Sequence, residues 1–222
     1  MPETVESRER LVDLARDRAL RGHTFRDLRC SGISLTRPDF GGSSFDRVDL
    51  DGADLRYASL ERATFVRANL RSAHIDGGLL CHTSFTDSDL TETDLAGAHI
   101  EDVLVTRVPM MNANLTGAKL VSTRFSASNL ARARFDGALL MKCGFSFPPA
   151  GVDTLHRASF VGATLVECDL EGASLIGADL RGAMLLKCNL QNAQLVRSIV
   201  EGCRLIGCNT AGADLPMELG GG

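Results

Sequence analysis

With 222 residues, 44% of them hydrophobic and 23% charged, the chain has enough apolar material for a sizeable buried core. The net charge of −4 is mild and the arginines and lysines are scattered, so no basic patch is available to hold a phosphate backbone and no direct nucleic-acid binding is expected. No apolar run approaches membrane-spanning length and the first 25 residues lack the apolar stretch of a signal peptide, so a cytoplasmic protein without membrane contact is expected.

The first predicted element is a capping helix within residues 1–22. In the stretch TVESRERLVDLARDRALR, from Thr4 to Arg21, the residues Val5, Leu11, Val12, Leu14, Ala15, Ala19 and Leu20 sit among charges at a rough helical spacing, with Thr4 or Ser7 as N-cap. His23, Leu28 and Ile33 stand where small residues follow later in the chain, which predicts a looser first coil.

From Leu35 onward the chain repeats every five residues. All 23 positions at multiples of five from Leu35 to Phe145 are apolar, and so are 12 of the 13 from Leu155 to Leu215, Thr210 being the exception. Two residues before each stands something small, as at Ala53, Ala58, Ala63, Ala68 and Ala73. Neither the helical period of 3.6 nor the strand period of two accommodates five, so the chain must turn once per repeat and close a square coil after roughly 20 residues. The large and the small residue both point inward, and the other three face water. Of the 22 glycines, 15 fall two residues after the large apolar position, where a corner needs positive φ. Coils stacked at about 4.8 Å satisfy one another's backbone groups, so roughly nine of them make a rod about 43 Å long. Each coil depends on its neighbours, and the ends need caps. One elongated all-β domain over residues 23–215 is expected, with residues 216–222 as a flexible tail.

One stretch breaks the pattern. Residues 146–154, SFPPAGVDT, carry Pro148, Pro149 and Asp153, which suit neither core nor ladder, and read as a corner loop presenting Phe147. Five of the seven cysteines, Cys143, Cys168, Cys188, Cys203 and Cys208, sit at the small inward position, where core filling explains them better than disulfides or a metal.

The sequences ADLRYASLERATFVRANL and EGASLIGADLRGAMLLKCNL resemble the pentapeptide-repeat family, whose pattern is a small residue, Asp or Asn, Leu or Phe, a polar residue and Gly. The resemblance extends over four fifths of the chain and implies a right-handed quadrilateral β-helix. It also implies a role for some members: resembling B-form DNA in size and acidity, they bind type II topoisomerases such as DNA gyrase and protect them from quinolones or other gyrase poisons. Other members occur among secretion-associated proteins.

Three outward constellations are candidate sites. Val166, Leu186 and Ile206 occupy the same outward position in successive coils with Met184 beside them, and Ile176 and Val196 form a shorter stripe on the opposite face, which suggests a protein partner or a homodimer. Asp49, Asp51, Asp89 and Glu92 collect on one face, continued in the same count by Asp169 and Glu171, although Arg29, Arg71 and Arg132 interrupt the series that a DNA mimic needs. Cys81 and His82 lie one coil below Glu101 and Asp102, with His99 nearby, but a convex wall has no pocket, so no catalytic, cofactor or metal role is expected there. The expected function is a non-enzymatic scaffold or adaptor that binds a protein partner through an outer face of the β-helix. The alternative is a DNA-mimicking gyrase-binding protein.

Overall fold

The computed structural model describes residues 3–146 and 154–219, so Phe147 and most of the 146–154 segment lie outside the described residues. Within them the chain winds as a β-helix of about ten coils, with the residues at multiples of five pointing into the tube. Four faces follow one another around each coil: the first carries Phe25, Phe45 and Phe65 at its centre, the second Leu50 and Leu70, the third Leu55 and Ile75, the fourth Leu60 and Leu80. Three-residue strands on the first face join an eight-stranded parallel sheet, and those on the fourth face a seven-stranded one. The second and third faces pair through isolated parallel bridges, such as Asp49↔Asn69 and Asp54↔His74.

The two inward columns are why this winding is stable. Ala53, Ala58, Ala63, Ala68 and Ala73 are buried beneath the corners, which lets the larger residues meet across the tube. On the first face the rings stack in register: Phe45 and Phe65 lie 4.4 Å apart and 5° from parallel, Phe65 and Phe85 4.9 Å apart and 14°. Backbone groups are satisfied between coils, as in Leu50 N–H to Asn69 O at 2.7 Å, and across corners, as in Ala53 N–H to Leu50 O at 3.0 Å. The 15 corner glycines all have positive φ. So do arginines, aspartates, serines and others at the equivalent places, for example Arg67 at 53° and Glu92 at 61°. The corner geometry is imposed by stacking, against the local preference of these residues.

The N-terminal cap is shorter than the 1–22 expectation. Thr4–Val5 is a strand that pairs with Thr24–Phe25, and the helix runs only from Arg8 to Arg16. Ser7 is its N-cap, its hydroxyl accepting from the Arg10 N–H at 3.1 Å. Leu11 and Leu14 turn onto the end of the tube, and Val5 closes the first face. Beneath them His23, Leu28 and Ile33 are all buried, so the first coil is closed and not loose. The larger side chains fill the space against the helix, and the Glu3 N–H donates to His23 Nδ1 at 3.1 Å. At the other end Cys203, Leu205, Cys208 and Leu215 are only partly buried, and Leu219 packs against them.

Past residues 147–153 the register resumes with an offset of 25 in place of 20: Leu139 pairs with Thr164, Arg134 with Ser159 and Gly144 with Asp169. The interruption therefore adds five residues, and every later residue stands a quarter of a coil from where a count by twenties puts it.

Candidate functional site

The changed register has its largest consequence on the fourth face. Met141 pairs with Val166, which pairs with Leu186, which pairs with Ile206; on the other side Met141 pairs with Val121. The outward stripe built from Val166, Leu186 and Ile206 therefore starts two coils earlier and spans five coils. Leu139 and Met184 stand in the parallel outward column of the same strands. These side chains are half-buried by one another, and Ile206 at the end is exposed. Cations border the stripe: Lys119, Lys142, Lys187 and Arg204 are exposed around it, and among them Lys142 pairs with Glu167 at 3.9 Å. Val121, Leu139 and Met141 escape a reading of the sequence because they lie before the interruption, where counting by twenties puts them in a different column.

On the opposite, second face Ile176 is half-buried and Val196 is exposed, with exposed Met111 several coils earlier. Ala131 and His156 separate them, so this stripe stays short.

The acidic series divides. Asp49, Asp51, Asp89 and Glu92 do share the second face, but Asp169 pairs with Gly144 and so lies with Glu171 on the first face. The five added residues are the physical reason: they rotate the later series by one face. The remaining group is also tied up by hydrogen bonds and one ion pair. Asn69 Nδ2 donates to Asp49 Oδ1 at 2.9 Å, Arg71 lies 3.6 Å from Asp89, and the Ser72 hydroxyl donates to Glu92 at 3.2 Å.

Near Cys81 the wall is not featureless. A shallow depression of about 490 Å³ is lined by Arg21, Glu61, Arg62, Cys81, His82 and Glu101. Cys81 pairs in register with Glu101, and His82 Nδ1 lies 3.7 Å from Asp102. Burial pushes the Cys81 thiol up, and the charges of Glu101, Glu61 and Asp102 push it further. An activated nucleophile needs the opposite shift.

The inward cysteines form a ladder. Cys143, Cys168, Cys188 and Cys208 follow one another in successive coils, their thiols donating to Leu120 O, Leu140 O, Leu165 O and Leu185 O at 3.3–3.6 Å. Contact with the preceding thiol, together with burial, pushes Cys168 and Cys188 up, so they stay protonated core residues. The added five residues bring Cys143 into this column.

Among solved structures, a trypsin-treated form of QnrB1, a plasmid-mediated fluoroquinolone resistance protein, is similar with a TM-score of 0.63 and 20% identity, covering 86% of this chain and 92% of that one. Full-length QnrB1 gives 0.54 at 19% identity, covering 86% and 93%. HetL from the cyanobacterium Nostoc sp. strain PCC 7120, a pentapeptide-repeat protein involved in regulating heterocyst differentiation, gives 0.32 at 26% identity, covering 87% and 90%. No curated protein matches the chain in sequence. The model of pentapeptide repeats matches in eight copies across residues 29–65, 63–102, 110–146, 154–192 and 163–202. With its five-residue inward columns, square coils and parallel ladders, the chain belongs to the pentapeptide-repeat family and folds as its right-handed quadrilateral β-helix.

Proposed function

We propose that the protein is a non-enzymatic cytoplasmic scaffold that docks a protein partner on the fourth face of its β-helix. The observation that supports this reading is the stripe Val121, Met141, Val166, Leu186 and Ile206, about 19 Å of contiguous apolar surface at the strand spacing. Bordered by Lys119, Lys142, Lys187 and Arg204, it fits a partner that offers an apolar strip edged by carboxylates. The wall is preformed by ladder hydrogen bonds, so docking orders little backbone and a modest contact area suffices for useful affinity. The shorter stripe of Ile176 and Val196 and the segment around Phe147 are secondary contacts in this reading.

The test compares wild type with the Leu186→Asp, Ile206→Asp double variant by pull-down from host extract and by light scattering. The expected result is a protein with unchanged circular dichroism that loses the captured partner, and a wild-type complex that weakens as salt rises. A double variant that keeps every partner and oligomer of the wild type overturns the reading.

A second reading, protection of a type II topoisomerase by DNA mimicry, is favoured by the likeness of the fold to the fluoroquinolone resistance protein QnrB1. The division of the acidic residues between two faces weighs against it. Gyrase supercoiling in the presence of a quinolone that is unchanged by excess protein removes it.

A further inference from the structure

We propose that Cys81, His99 and Glu101 form a binding site for a divalent metal ion of the zinc type on the N-terminal half of the fourth face. The strand Leu79–Cys81 pairs in parallel with His99–Glu101, so Cys81 stands directly beside Glu101 and Leu79 beside His99. His99 and Glu101 are two residues apart on one strand and therefore project to the same, outward side. Two adjacent strands thus supply a thiol, an imidazole and a carboxylate, a combination of nitrogen, sulfur and oxygen ligands that suits zinc.

The distances fit this use. The candidate ligand atoms of the three residues lie within 4.8 Å of one another, and His99 Nε2 is already 3.1 Å from Glu101 Oε2. Bonds of roughly 2.0–2.3 Å in a tetrahedron place ligand atoms about 3.2–3.8 Å apart, so rotation of side chains closes the set without moving the backbone. The backbone is held by the ladder, with the His82 N–H donating to Glu101 O at 2.8 Å and the His99 N–H to Gly78 O at 2.9 Å. All three residues are half-buried, which removes part of the hydration that an exposed trio keeps. The fourth position opens to solvent and is left to water.

The surrounding charge is of both signs. Glu61, one coil before Cys81, lines the same depression, and Asp102 directly follows Glu101. On binding, the cation takes the place of the thiol proton, which is released to solvent. Three cations stand nearby: Arg21, paired with Asp39 at 2.9 Å, and exposed Arg62 line the same depression, and exposed Lys119 is in register beyond His99. The comparable trio His74, Asp76 and Asp94 on the third face lacks these features: His74 is exposed, and Asp94 Oδ1 already accepts from Asn114 Nδ2 at 2.9 Å and the Ala96 N–H at 3.0 Å.

Cobalt(II) titrated into the reduced full-length protein tests the site. The expected result is one equivalent bound, with a near-ultraviolet thiolate-to-cobalt charge-transfer band that zinc bleaches. Cys81→Ser should abolish the band, His99→Gln should weaken binding at least tenfold, and Cys208→Ser should leave both unchanged. Zinc should raise the melting temperature of the wild type but not of the first two variants. No band in the wild type, or a band that persists in Cys81→Ser, overturns the proposal. If Cys81→Ser fails to fold by circular dichroism, zinc calorimetry on His99→Gln decides it, and affinity equal to wild type is the negative result.

Discussion

Replacing Phe65 by alanine should be among the most damaging single changes to this protein. Its ring is buried, stacked 4.4 Å from Phe45 on one side and 4.9 Å from Phe85 on the other. Truncating a buried phenylalanine costs about 3–5 kcal/mol, and each stacked pair adds about 0.5–1.5 kcal/mol beyond the buried area. In a solenoid the loss falls on both coil interfaces at once, with no distant core to compensate. A destabilisation of about 4–8 kcal/mol is therefore expected, read by guanidinium unfolding followed by far-ultraviolet circular dichroism. Phe160 is a built-in comparison, since it is equally buried but among the described residues stacks on Phe135 alone, at 4.8 Å and 4°. Phe160→Ala should cost about 1 kcal/mol less than Phe65→Ala. A loss below about 2 kcal/mol at Phe65, or a larger loss at Phe160, would refute the argument that ring stacking couples the coils.

Three further outcomes are expected. Arg132 holds φ of 61°, so Arg132→Gly should stabilise by about 0.5–1 kcal/mol, whereas Gly137→Ala, at φ of 64° with open space around the added carbon, should destabilise by about 1 kcal/mol; denaturant midpoints compare the two. The side-chain hydrogen bonds from Arg56 hold the Asp54 carboxyl down at about 2, against an ordinary 3.8. Because the folded value is the lower one, this contribution to stability is complete above about pH 4 and disappears as pH falls toward about 2; Arg56→Ala should raise the carboxyl's midpoint in an NMR titration and shrink that acid-sensitive window. Ser7→Ala removes the helix N-cap and should cost about 1 kcal/mol, seen as earlier loss of protection in the Arg8–Arg16 amides by hydrogen exchange.

Most of the scaffold is legible along the chain because each repeat carries its own instruction. Leu50, Leu55 and Leu60 are buried where the five-residue spacing puts them, Ala53 and Ala58 lie beneath the corners, and the 15 corner glycines take positive φ. The helix is legible in kind but not in length, because Thr4–Val5 gains more by extending the first sheet than by adding a helical turn. Left-handed corners at Arg67, Asp87 or Arg107 are invisible locally, since those residues prefer other conformations and yield only to the stacked coil.

The amino-acid order alone therefore carries the winding: a large and a small apolar residue recur at a spacing that no helix or flat strand satisfies, and each repeat can be read without knowing any other. The composition of the outer faces beyond residue 153 is another matter. Which column Asp169, Val166 or Cys168 joins depends on how many residues leave the coil between Phe145 and Leu155, and nothing periodic in SFPPAGVDT counts them. That number is settled by pairing across coils, where Gly144 meets Asp169 and Met141 meets Val166; the inward positions recur every five residues and fit any face, so they do not select it. The same pairing sets Cys81 beside Glu101 and within reach of His99, a proximity that exists only once the strands are stacked.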